Sequence, residues 1–117
     1  MTGERTQVLI VEDDPVYRSL IRHVLVRKGI GTVEAATVAT AAEALATETF
    51  GAVLLDYELP DGKGLDLLEH VDRSRTGRLI LVTGIADRQE LDDPRASLVD
   101  AYLTKPFSSA ELLGCVE

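Results

Sequence analysis

The stretch QVLIVEDD, residues 7–14, decides the fold, because its apolar run is followed directly by three carboxylates. Three further apolar runs end on reactive polar residues in the same way: AVLLD (52–56), LILVT (79–83) and AYLTKP (101–106). Short apolar runs of this kind are typical of strands buried in a parallel sheet. The carboxyl ends of such strands share one edge, which is where open α/β sheets bind their ligands.

Helix-like segments separate these runs. We expect strands near 7–12, 31–36, 52–56, 78–83 and 101–104. We expect a first helix from Pro15 to about Lys28, with a stop at Gly29, and a second from a capping box at Thr40–Glu43 to about Glu48. We expect a third helix over Leu65–Val71 and a last one that begins at a second capping box, Ser108–Glu111. This alternation predicts one α/β domain over residues 1–117, a parallel sheet with helices on both faces and right-handed crossovers.

Composition narrows the classes of function. The chain has 117 residues, of which 45% are hydrophobic and 27% charged, and its net charge is −8. That charge argues against binding nucleic acid through a basic face. No apolar run approaches the length of a membrane span, and the first residues lack the apolar core of a signal peptide. Cys115 is the only cysteine, which suits a reducing compartment, so we expect a cytoplasmic location away from the membrane.

The polar residues at the strand ends form the candidate site. Asp13, Asp14 and Asp56 would bring three carboxylates together, which is costly without a divalent cation such as Mg²⁺. Asp56 is the candidate nucleophile, since a carboxylate can accept a phosphoryl group. Lys105 can pair with a phosphate as a point charge, and the Thr83 hydroxyl can donate to a phosphate oxygen. Each has an ordinary structural explanation when taken alone, and Asp14 also suits a helix cap before Pro15.

Taken together, these motifs resemble the receiver domain of two-component response regulators. The resemblance rests on Glu12-Asp13-Asp14, Asp56 followed by Tyr57-Glu58-Leu59-Pro60-Asp61-Gly62, Thr83, and Ala101-Tyr102-Leu103-Thr104 before Lys105-Pro106-Phe107. It extends from about Gln7 to Glu117. It implies a flavodoxin-like (βα)5 fold whose five-stranded parallel sheet has the order 2-1-3-4-5.

The resemblance also implies roles for residues. Asp56 would be the phosphoacceptor, and Asp13, Asp14, Asp56 and the backbone carbonyl of Glu58 would hold Mg²⁺. Lys105 and Thr83 would contact the phosphoryl oxygens, and Tyr102 would change position when Thr83 is drawn to the phosphate. The peptide bond before Pro106 would be cis.

The implied function is that of a signalling switch, which catalyses only its own phosphorylation and dephosphorylation. A histidine kinase or histidine phosphotransfer protein would supply the phosphoryl group, and an unknown output partner or an output domain outside these residues would read the switch.

Two departures from the family pattern concern the last third of the chain. Asp92-Asp93-Pro94 interrupts the segment where receivers place a fourth helix, which predicts a short-helical or irregular, mobile stretch over about 86–97. A partner would then dock elsewhere, for instance on the first helix near Asp56, or would order this stretch on binding. The last helix is also short, as expected of a trimmed domain or of a fragment of a longer protein.

Three other classes compete with the receiver. A pseudo-receiver would act purely as a scaffold. A haloacid-dehalogenase-like phosphatase also uses an Asp nucleophile and Mg²⁺, but it needs an Asp-x-Asp motif, whereas Asp56 is followed by Tyr57 and Glu58. A flavodoxin-like flavin-binding module would need a phosphate loop after the first strand, and the sequence has none there.

Overall fold

The protein is built on a central sheet of five parallel strands. The structure, a computed structural model, describes residues 7–84 and 91–117. The strands are β1 (Gln7–Val11), β2 (Gly31–Ala35), β3 (Phe50–Asp56), β4 (Thr76–Gly84) and β5 (Ala101–Lys105). Their spatial order is β2-β1-β3-β4-β5, and every neighbouring pair is parallel. The predicted order 2-1-3-4-5 and the predicted α/β class are confirmed.

Helices cover both faces of the sheet. The α-helices are α1 (Pro15–Arg27), α2 (Val38–Thr47) and α3 (Ser109–Val116), and two 3₁₀ helices span Gly64–His70 and Pro94–Leu98. Helices α1 and α3 pack on one face, where Ile21, Leu25 and Leu112 meet Val8 and Ile10 of β1. Helix α2 and the two 3₁₀ helices pack on the other face. Strands buried on both sides explain the near-continuous apolar runs of the sequence.

Helix α1 begins and ends where its sequence predicts. Asp14 is the N-cap, and its carboxylate accepts a hydrogen bond of 2.9 Å from the Val16 N–H. Pro15 occupies the first helical position, where its missing N–H costs nothing. Gly29 follows the C-terminal end with a φ of 78°, a left-handed conformation that glycine adopts without a steric penalty.

Helix α2 begins earlier than predicted. The expected capping box at Thr40–Glu43 is wrong: the N-cap is Thr37, and Thr37 and Thr40 cap each other reciprocally. The carboxylate of Asp61 also accepts hydrogen bonds from the first N–H groups of this helix, those of Val38 and Ala39, at 2.7 and 3.0 Å. Asp61, which is distant in sequence, therefore stabilises the earlier start of helix α2.

The helix predicted over Leu65–Val71 forms as the 3₁₀ helix Gly64–His70 rather than as an α-helix. Its position is set by Gly64, whose N–H donates to the Tyr57 carbonyl at 2.9 Å. A Cβ at position 64 would collide with the backbone carbonyl oxygen of Asp56, so only glycine permits this close approach. Gly64 therefore fixes the course of the loop that follows Asp56.

Within the described residues 91–100, the segment before β5 is irregular and short-helical, as predicted. Residues 91–93 have no regular structure, and Pro94–Leu98 is a single short 3₁₀ helix that Asp93 caps. The first part of the predicted irregular stretch, up to residue 90, lies outside the described residues. None of the helices in the described part of the chain has the length and hydropathy needed to cross a lipid bilayer.

Candidate phosphoacceptor site

The sheet places the predicted site residues along its carboxyl edge. Asp56 ends β3, Lys105 ends β5, and Thr83 lies one residue before the end of β4. Val11 pairs with Leu55 in the register of β1 and β3, so the residue after Val11 lies beside Asp56. Four neighbouring strands, β1, β3, β4 and β5, thus bring their predicted residues to one edge of the sheet.

The acidic group in this cluster differs from the one predicted. Carboxylate oxygens of Glu12, Asp13 and Asp56 lie within 4.8 Å of one another, a spacing that can hold a metal ion. Asp14 is not part of this group, because its carboxylate caps α1. Glu12, for which no role was predicted, lies in this group instead of Asp14. Its side chain is almost fully buried, with 2% exposed.

The alternation of strand side chains could have identified Glu12. Val8 and Ile10 of β1 face the core under α1 and α3, and Ala52 and Leu54 of β3 face the same core. Because side chains two residues apart share a face, Glu12 and Asp56 both continue toward that side of the edge. Leu103 faces the same core, which brings Lys105 to that side as well.

Lys105 bridges the two buried carboxylates. Its ammonium Nζ lies 2.8 Å from Glu12 Oε1 and 3.6 Å from Asp56 Oδ1. Burial acts to lower the pKa of Lys105, but the hydrogen bond to Glu12 and the charge of Asp56 outweigh it and leave the pKa raised. Lys105 is therefore a fixed positive charge that faces the candidate nucleophile.

Asp56 lies in an environment that opposes its ionised form. Only 13% of its side chain is exposed, and burial followed by the negative charge of Glu12 raises its pKa to about 8, despite the opposing effect of Lys105. Mutual repulsion of this kind is relieved when a divalent cation joins the cluster. The donor set of carboxylate oxygens is the one that Mg²⁺ and Ca²⁺ prefer. The residues present thus fit a hard divalent cation.

The two predicted switch residues lie toward the other face of the sheet. Thr83 is completely buried, and its hydroxyl has no hydrogen-bond partner within the described part of the chain. Tyr102 packs against the core under α2, and its hydroxyl donates to the Ala96 carbonyl at 2.7 Å. That hydrogen bond connects β5 to the 3₁₀ helix Pro94–Leu98, so a movement of Tyr102 would break the bond or displace that helix.

The loop after Asp56 is a small hairpin. Glu58–Leu59 pairs antiparallel with Gly62–Lys63, and the exposed Glu58 carboxylate lies 2.6 Å from the Lys63 ammonium. Glu58 follows Asp56 by two residues in this hairpin, and a metal-binding role for its carbonyl stays a prediction. The Lys105-Pro106 peptide bond is cis, as predicted.

A second network ties this loop to the segment before β5. The Asp66 carboxylate accepts the Lys63 N–H at 2.9 Å and the Arg95 guanidinium at 2.8 Å. Arg95 also binds Asp93, the cap of the 3₁₀ helix, at 2.8 Å. The loop beside the phosphoacceptor candidate is therefore in direct contact with the 3₁₀ helix Pro94–Leu98 and its cap.

The family model for the response regulator receiver domain matches residues 8–117. The chain is 33% identical over 114 residues to the phosphate regulon transcriptional regulatory protein PhoB of Escherichia coli (strain K12), a match that covers 95% of this chain and 50% of that protein. The chain therefore belongs to the response regulator receiver domain family. It spans about half the length of this curated relative.

Solved structures agree with this assignment. A CheY-like response regulator receiver domain from Methylobacillus flagellatus has a TM-score of 0.83 and 28% identity, with 97% of this chain and 100% of that chain covered. The receiver domain of a sensor histidine kinase from Pseudomonas aeruginosa PAO1 has a TM-score of 0.80 and 27% identity, with 97% and 95% covered. That second structure has a magnesium ion coordinated in its active site cleft. Receiver domains are signalling switches, and the phosphatase and flavin-binding alternatives are not supported by these matches.

Proposed function

We propose that Asp56 is the phosphoacceptor of this receiver domain and that its phosphorylation switches the region of Thr83 and Tyr102. The observation that carries the proposal is the position of Lys105, whose ammonium lies between Glu12 and Asp56 at the carboxyl edge of the sheet. Asp56 ends the central strand β3, and a bound cation would favour the ionised, nucleophilic form of its carboxylate, against the burial and the charge of Glu12 that raise its pKa. A buried carboxylate beside a fixed cation is suited to nucleophilic attack on phosphorus.

The phosphoryl group would come from a phosphohistidine of a histidine kinase or a histidine phosphotransfer protein. A carboxylate oxygen of Asp56 attacks the phosphorus, the new P–O bond forms, and the P–N bond to the partner's imidazole breaks. The imidazole leaves with the bonding electron pair. Lys105 pairs with the transferred oxygens, and water later hydrolyses the acyl phosphate. The domain thus catalyses only its own phosphorylation and dephosphorylation.

Magnesium is the cofactor we propose for this step. Glu12, Asp13 and Asp56 would hold it, with the Glu58 carbonyl as a further oxygen ligand, and Asp14 would keep its role as the helix cap. The ion would supply positive charge that neutralises the transferred phosphoryl group. Two unit charges 4 Å apart interact by about 4 kcal/mol at an effective dielectric of 20, so a cluster of carboxylates at this spacing favours a bound cation.

The switch would use the buried Thr83 hydroxyl. Its lack of a partner in the described residues leaves it able to donate to a phosphoryl oxygen on Asp56. Tyr102 would then move into the space that Thr83 leaves, and its bond to the Ala96 carbonyl would change. Amide spectra with and without beryllofluoride test this step: we expect shifts at 83 and at 96–102, and unchanged spectra there would reject it.

We place this reaction in the cytoplasm, and we propose that an output partner or domain reads the switch. The net charge of −8 supports a domain that does not itself bind nucleic acid.

Mass spectrometry after incubation with acetyl phosphate and Mg²⁺ tests the phosphoacceptor. We expect one added phosphoryl mass, lost on chelation of the metal and in Asp56→Asn. Asp61→Asn is the matched control, because Asp61 lies in the same loop but binds the start of α2. Undiminished labelling of Asp56→Asn would refute the assignment, and absence of any labelling would favour a pseudo-receiver that acts as a scaffold.

A further inference from the structure

Lys105 has two carboxylate partners at unequal distances. Its ammonium is 2.8 Å from Glu12 Oε1 but 3.6 Å from Asp56 Oδ1. A lysine carries a compact charge on a flexible four-carbon stem, so the two carboxylates alone do not determine where the ammonium rests. The transferred phosphoryl group needs that ammonium near Asp56. A third contact that holds the ammonium in the cluster would therefore favour the reaction.

The ring of Tyr17 provides this third contact. Tyr17 lies in the first turn of α1, directly beyond the acidic end of β1, and the Lys105 ammonium is 4.3 Å from the centre of its ring. An ammonium at this distance from an aromatic ring is attracted by the negative charge of the ring face. Only 20% of the Lys105 side chain is exposed, so water screens this attraction weakly.

A second ring keeps Tyr17 in place. Phe107 follows Lys105 and Pro106, and its ring centre lies 5.8 Å from that of Tyr17, with the ring planes 47° apart. This separation is within the range of favourable aromatic pairs. The pair joins the first turn of α1 to the segment after β5. The Tyr17 ring is thus anchored to the same stretch of chain that carries the lysine.

The ring face, rather than the hydroxyl, is the part of Tyr17 that faces the site. Across residues 7–84 and 91–117, the structure gives the Tyr17 hydroxyl no hydrogen bond, while the ring contacts both Lys105 and Phe107. Phenylalanine would preserve both contacts. Leucine would fill a similar apolar space but offers no ring face to the ammonium.

We propose that Tyr17 is a positioning residue for phosphoryl transfer, whose ring holds the Lys105 ammonium in the cluster between Glu12 and Asp56. This inference rests on the proposed function, in which Asp56 accepts the phosphoryl group. Tyr17 does not touch the reacting atoms. It acts through Lys105 by limiting the positions that the ammonium samples before transfer.

The position of Lys105 can be measured without any phosphorylation. Protons above an aromatic ring face are shielded by the ring current, so the ε-methylene signals of Lys105 should be shifted upfield in the unmodified domain. Tyr17→Phe should keep this shift, and Tyr17→Leu should return the signals to their ordinary position. Ordinary Lys105 signals in the unmodified domain would overturn the inference whether or not the variants fold.

The rate of phosphorylation by acetyl phosphate provides the functional test. We expect Tyr17→Leu to slow it about fivefold, the ratio that corresponds to a cation–π contact of about 1 kcal/mol. Tyr17→Phe should stay within about twofold of the unmodified rate. Val16→Ala, at the neighbouring exposed position of α1, is the control for substitution in this turn and should also keep the rate.

The outcomes separate this inference from the proposed function. A Leu variant as fast as the unmodified domain, or a Phe variant as slow as the Leu variant, would overturn the role of the ring. If the unmodified domain accepts no phosphoryl group, the proposed function fails, while the shifts of the Lys105 signals still decide whether Tyr17 positions the ammonium.

Discussion

Replacing Asp56 with asparagine should stabilise the metal-free domain. Asp56 titrates at about 8 in the fold against 3.8 for an unperturbed aspartate. Between these pH values the folded domain retains a proton that the unfolded chain has released. Each rise in pH therefore lowers the free energy of the unfolded state relative to that of the folded state. The stability of the unmodified domain falls as pH increases through this window. Asparagine keeps the shape of the side chain without the titration.

The size of the effect follows from the shift in the pKa. Each unit between the two pKa values corresponds to about 1.36 kcal/mol. At pH 7, roughly three units above the unperturbed pKa, the gain for Asp56→Asn has an upper limit of about 4 kcal/mol. At pH 5, roughly one unit above the unperturbed pKa, the same reasoning gives a limit of roughly 1–2 kcal/mol. The gain in unfolding free energy should thus grow with pH.

Urea unfolding in the presence of a chelator, at pH 5, 6 and 7, measures this difference. Asp61→Asn serves as the control of opposite sign. The hydrogen bond from the Val38 N–H lowers the pKa of Asp61, so its contribution to stability is present above the unfolded pKa and is lost as pH falls. The reasoning is refuted if Asp56→Asn is no more stable than the unmodified domain, or if its gain does not increase with pH.

Further predictions concern the metal, the switch and the segment before β5. Millimolar Mg²⁺ should raise the melting temperature of the domain, and Asp13→Ala should reduce this rise. Asp14→Ala should keep the rise, although the loss of the helix cap should cost about 1 kcal/mol of stability. Equal responses of the two variants to Mg²⁺ would contradict the assignment of Asp13, rather than Asp14, to the metal site. Tyr102→Phe should cost about 1 kcal/mol in urea unfolding, because it removes the bond to the Ala96 carbonyl, and no loss would contradict that role. Amides of residues 91–98 should exchange faster than those of β1 and β3, and equal protection would show that the segment is stable.

The strands could be predicted because their signal is local. Each apolar run is buried on both faces of the sheet, so its composition alone marks it as a strand, and the polar residue that ends it marks the edge. The signal for the start of α1 was equally local. Asp14 caps the helix through the N–H of Val16, and Pro15 occupies the first helical position. The motif set therefore indicated the class of protein, the candidate nucleophile and the lysine from residue type and spacing alone.

The errors arose where a distant residue decides the local structure. Helix α2 begins after Thr37 because Asp61 accepts hydrogen bonds from Val38 and Ala39. These two residues lie 23 and 22 positions before Asp61 in the chain. The stretch from Gly64 forms a 3₁₀ helix, and Gly64 itself lies directly against the backbone of Asp56. Neither contact can be inferred from the residues that form the helix, because propensity describes only neighbours along the chain.

The sequence by itself determined the alternation of strands and helices, the chemistry of the edge and the family, because these depend on residue type and spacing. Only the tertiary structure decided which acids meet: Glu12 is buried against Lys105, whereas Asp14 turns away to cap α1. It also placed Tyr17 against the lysine, although Tyr17 and Lys105 are 88 positions apart along the chain. The physical reason is that adjacent side chains at a strand end point in different directions, and only the packed sheet determines which of them faces the site.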